Sequence, residues 1–202
     1  MNYDALFDRI LSRIDHDTYL AATNAVDGAH SQALRELEVR RKQPGVTPQE
    51  LRALINTMYK QGRLDDIRRY SALHVIAASP MVADYDEAAA MVSAQEMAVL
   101  KTGGPRLQAN LASVERHRGV LAFLLQRYEI ALDYFSRAFE RQHNAMNLSN
   151  VLSTLIRLGE HDEAVALLTQ VRSAFPRPLV EELDHLIQTD SDLIPLRKEA
   201  SP

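Results

Sequence analysis

The 202-residue chain contains no cysteine and no tryptophan. Without a thiol there are no disulfides, no cysteine nucleophile, no cysteine-ligated zinc and no iron–sulfur cluster, a composition that suits a reducing compartment. Glycine and proline number only seven and eight, so few positions can break a helix. Aromatic residues make up 6%. Neither charge dominates: 23 Lys and Arg oppose 27 Asp and Glu, for a net charge of −4. No nucleic-acid partner is therefore expected. The longest apolar runs, such as Val120 to Leu125, fall far short of the ~18–20 residues that span a bilayer, so no membrane insertion is expected. Met1 to Arg9 places two acids before its first base and carries no signal-peptide apolar core, and the expected location is cytoplasmic.

What is abundant is helix-forming. Ala, Leu, Arg, Glu and Gln dominate, and apolar residues recur at steps of three and four, as in Leu148, Val151, Leu152, Leu155 and Ile156. The helix breakers are regularly placed. Gly28, Gly45 and Gly62 lie 17 apart, Pro80 follows 18 later, and Gly159 and Pro176 are again 17 apart. That interval is one helix of about four turns plus a tight turn, and two such units give a repeat near 34 residues. Self-similarity appears at an offset of 33: Gln126 to Leu132 aligns with Gly159 to Val165, and Ala131, Phe135 and Ala138 fall where Ala164, Leu168 and Val171 fall.

This small–large–small pattern resembles the tetratricopeptide repeat. Arg127 to Phe139 looks like the second helix of that repeat, with Gly119 at the small position of the first helix, Gly159 at the turn and Pro176 closing the unit. A degenerate third copy is Ala83 to Val92. The resemblance implies an all-α fold, a right-handed superhelical array of antiparallel helix hairpins. Residues 1–27 are expected as an N-terminal helical cap, 28–176 as the repeats, clearest over 112–176, and 177–202 as a C-terminal capping helix and tail. Intervals of 24 residues from Pro80 to Gly104 and 23 from Gly104 to Arg127 predict two longer helices, with a bend or register change near 103–105. Helix parity before this point reads both ways. Gly62 to Ile67 looks like the opening of a second helix, whereas counting back from Gly159 makes 63–79 a first helix.

No P-loop, GxGxxG, HExxH or GxSxG occurs, and no enzyme activity or cofactor is expected. Glu140/His143 and Glu182/His185 have the Glu-x-x-His spacing of di-iron bundles, but such a site needs further inward carboxylates. They read as solvated helix ends, with His143 in a turn before Asn144. The acidic clusters Asp84/Asp86/Glu87 and Glu160/Asp162/Glu163 read as helix N-terminal caps, and Arg40-Arg41-Lys42 as a helix C-terminal run. Phe135 and Tyr128 read as core, and Phe139 and Tyr134 as surface or inter-repeat contacts.

The resemblance implies a non-enzymatic adaptor or chaperone-like module that holds a peptide or partner helix in a concave groove. The alternative is a regulator that senses a peptide or small molecule, and homo-oligomerisation stays open. Carried across the 33-residue offset, the groove-facing positions are Arg116, His117, Val120 and Phe123 in one repeat and Ser149, Asn150, Ser153 and Ile156 in the next, with Arg157 adjacent. Their cations and amide suggest a ligand with an acidic end. Under the opposite parity the competing stripe is Arg52, Asn56 and Lys60.

Overall fold

The computed structural model describes Tyr3, Leu6, Ile10 and residues 28–198, the side chains of residues 28–31 excepted. Among the described residues the chain is helical throughout and contains no strand. In order it forms α1 (Gly28–Arg41), α2 (Pro48–Lys60), α3 (Asp66–Ala77), α4 (Tyr85–Thr102), α5 (Leu107–Leu124), α6 (Tyr128–Arg141), α7 (Ala145–Leu158), α8 (His161–Ala174) and α9 (Arg177–Thr189), closed by a 3-10 turn over Ser191–Leu196. No described helix is long and apolar enough to cross a membrane.

Local chemistry sets the boundaries. Thr47 and Glu50 form a capping box in front of α2, with Pro48 in its first turn. Asp65, Asp84 and Asn144 each accept a backbone N–H three residues on, opening α3, α4 and α7. The acidic cluster at Asp84 thus acts as a cap, whereas Glu160 makes no cap and instead accepts the Tyr3 hydroxyl at 3.0 Å. Gly159 ends α7 in the left-handed region at φ 83°, its N–H reaching the Ile156 and Leu155 carbonyls. The two long sequence intervals correspond to α4 and α5, each 18 residues.

Each helix packs on the next in chain order, and α3 also meets α5, as α7 meets α9. Asp66–Ala77 thus touches α5 as well as its two chain neighbours. The interior falls into three apolar clusters, the largest built from α5 to α9 and the closing turn. Ala131 and Ala164, Phe135 and Leu168, and Ala138 and Val171 are all buried, as the 33-residue offset requires, and all of them but Ala138 belong to that cluster. Gly119 faces the Phe135 ring with no space between them for a side chain. Glu115, buried, lies 3.6 Å from Arg137, and Arg118 pairs with Glu96 at 2.6 Å, so the charges in α5 tie it to α6 and α4.

Of the two alternatives for Phe139, surface is excluded: it is fully buried, its ring 5.6 Å from that of Phe175. One expectation is corrected: His143 is buried rather than solvated, because the turn between α6 and α7 tucks its ring 4.9 Å from Phe139 and 6.5 Å from Phe175. Tyr3, Leu6 and Ile10, spaced by three and four, lay one helical face on the cluster of α5 to α9. All other residues of the expected cap, 1–27, and the tail beyond 198 lie outside the described residues.

Candidate functional site

The sequence of α5 places Val120, Phe123 and Leu124 one turn apart, and that of α7 does the same for Asn150 and Ser153. Packing of α6 between these helices brings Phe135 to the floor of the space they enclose. The result is a hollow of about 220 Å³, whose remaining rim is Asp190 and Asp192 from the closing turn. Its character is an aromatic and aliphatic wall with a few polar groups. Ser153 is only 7% exposed, and neither its hydroxyl nor the Asn150 amide makes a hydrogen bond among the described residues. A polar group in such a wall lacks part of its solvation and gains from a partner that fills the space.

Four of the nine anticipated groove residues thus converge: Val120, Phe123, Asn150 and Ser153. Arg157 stands at the edge, its guanidinium carbon 6.0 Å from the Phe123 ring centre, but Asp192 already holds it at 2.5 Å. Ile156 is partly buried on the core, and Ser149 is buried with its hydroxyl bonded to the Met146 carbonyl at 2.9 Å. Arg116, one turn before Val120, donates to Met146 Sδ at 2.9 Å and has no carboxylate partner among the described residues. In the competing stripe, Arg52 pairs with Glu87 at 2.5 Å and Asn56 accepts from Arg69 at 3.1 Å, so two of its three groups are used internally.

His117 points away from the hollow's lining into a buried polar cluster. Its Nδ1 lies 2.8 Å from Gln95 Oε1, the Gln95 amide donates to Ser113 at 3.3 Å, and its ring centre is 4.4 Å from that of His74. His74 Nδ1 meets the Ala88 carbonyl at 3.2 Å. Carbonyl oxygens only accept, so both neutral rings carry their proton on Nδ1. Burial pushes His117 well below the usual imidazole value, and the Arg116 and His74 charges add to this. Burial likewise lowers His74, against the pull of the Ala88 carbonyl.

The sequence reading missed the two aspartates and the His74–Gln95–His117 cluster, since each joins positions far apart in the chain. Among the described residues no group of three or more His, Asp or Glu side chains gathers as a metal site. Two further hollows, at Arg35, Val39 and Leu54 and at Asp84, Tyr85 and Leu121, are larger but more open to solvent. Fold and site together define, among the described residues, an all-helical chain packed helix on helix, with an aromatic-walled hollow on the α5–α7 face. Comparison with protein-family profiles, curated proteins and solved structures finds no match.

Proposed function

We propose that the chain is a non-enzymatic interaction module, an adaptor or chaperone-like array of tetratricopeptide type, that holds an extended peptide against the α5–α7 face. Chain-order pairing, the α3–α5 and α7–α9 contacts, and burial of equivalent residues at the 33-residue offset support the array. In such an array one class of helices lines a concave surface, and continued stacking winds it into a right-handed superhelix. The observation that carries the binding reading is the convergence of Val120, Phe123, Asn150 and Ser153 on one open hollow, with two polar side chains that make no hydrogen bond among the described residues. Arg116 lies about 6 Å along the helix from Val120 and is the cation left to receive an acidic group of the ligand.

The test is panning a display library of short unstructured peptides on the folded chain, then measuring the selected peptides against Phe123→Ala, Asn150→Ala and Arg116→Ala. The reading expects binding that each variant weakens while the melting temperature of Asn150→Ala and Arg116→Ala stays near the parent's. No enrichment, or peptides indifferent to all three changes, contradicts it.

A further inference from the structure

We propose that the hollow between α5 and α7 takes a basic side chain, lysine or arginine, of the bound peptide. The inference rests on the groove reading and specifies what fills it. The volume, about 220 Å³, lies below the ~300 Å³ at which pockets for drug-sized molecules begin. It suits a single side chain.

The walls match a basic side chain along its length. Val120, Phe123 and Phe135 meet an aliphatic stem, as lysine and arginine stems require when their heads stay polar. Asp190 and Asp192 stand at the rim; among the described residues Asp192 pairs with Arg157 at 2.5 Å, while the Asp190 carboxylate has no ion pair, the Arg197 guanidinium reaching only its backbone carbonyl at 3.4 Å. Asp190 uses Oδ1 to accept the Asp192 backbone N–H at 2.9 Å, which leaves Oδ2 for a ligand cation. Ser153, more than nine-tenths buried and without a hydrogen-bond partner among the described residues, supplies an oxygen inside the hollow. An acidic side chain would meet carboxylates there and is excluded. The acidic group of the ligand instead faces Arg116, so the bound peptide carries opposite charges about one helical turn, ~6 Å, apart.

The aspartates are a fixed wall and not a displaceable lid. Leu193 and Leu196, on the same turn, are fully buried in the core of α5 to α9, so lifting the turn exposes two leucines.

The test titrates the isotopically labelled full chain with N-acetyl-arginine methylamide, N-acetyl-lysine methylamide and N-acetyl-norleucine methylamide, following the Asn150 side-chain amide and the Ser153 and Asp192 backbone amides by NMR. The basic probes should shift these signals and bind about tenfold more tightly than the norleucine probe. Asp190→Asn, which keeps the capping oxygen, should erase that preference and leave the norleucine probe unchanged. Raised ionic strength should weaken the basic probes selectively in the parent. Equal affinity for norleucine, a preference that survives Asp190→Asn, or shifts confined to another surface overturns the proposal. Failure of the groove reading looks different: basic probes dock as described while no peptide selected by panning depends on Phe123 or Asn150. Panned peptides that need both residues, with no Asp190-dependent preference, overturn the basic-side-chain proposal alone.

Discussion

A Cβ built on Gly119 stands 2.6 Å from both Cδ1 and Cε1 of Phe135, closer than carbon atoms approach in a relaxed interior. The ring is 2% exposed, so the clash strains the packing of α5 on α6 unless the ring shifts toward the hollow it lines. Gly119→Val is therefore expected to lower stability by about 1–3 kcal/mol in chemical denaturation. Combined with Phe135→Leu, part of that loss should return, because the two sites couple through one contact. Additive losses would mean α5 and α6 do not meet at this point.

The 33-residue equivalence makes a paired prediction. Ala131 and Ala164 are both fully buried, and a long charged side chain at either has no route to water. Ala131→Arg and Ala164→Arg should each cost more than ~3 kcal/mol or abolish the folded circular-dichroism signal. Melting like the parent at either site would break the equivalence.

The stacked imidazoles predict a pH dependence. His117 and His74 both titrate below the usual 6.5 when folded. The unfolded chain thus takes up protons first as pH falls, so stability is full above about 6.5 and declines below it, by up to ~1.4 kcal/mol per pH unit for each group. Carboxylates held low by their partners, such as Glu38 beside Arg41, lose their contribution only below the usual 4.5. Denaturation midpoints between about pH 7 and 5 should fall for the parent and flatten for His117→Gln. An unchanged slope in that variant would place the proton uptake elsewhere.

The closing turn should owe its place to leucine and not to charge. Arg157 is half exposed in its pair with Asp192, which limits that ion pair to ~0–1 kcal/mol. Leu193 is fully buried, and Leu193→Ala should cost about 2–5 kcal/mol. Thermal melts of Asp192→Asn and Leu193→Ala compare the two directly. A larger loss in Asp192→Asn would make the turn an electrostatic latch.

Much of this was legible in sequence because it is local. Glycine and proline spacing marked the turns, and the 33-residue offset carried Val120 onto Ser153 and His117 onto Asn150. The offset could not say that His117 turns inward, since the Gln95 that receives it is 22 residues away. Nor could it place Asp192, which reaches Arg157 across 35 residues through a 3-10 turn with no repeat counterpart. His143 was misread for a related reason: its turn looks polar in sequence, and the ring is covered by Phe139 on one side and by the distant Phe175 on another.

The central claim, that the α5–α7 face binds peptide, is tested most directly by mapping a panned peptide on the isotopically labelled chain by NMR. The account predicts saturable shifts clustered at Phe123, Asn150 and Ser153, extending to Arg116. Shifts clustered instead at Arg35, Val39 and Leu54, or at Asp84, Tyr85 and Leu121, would contradict it.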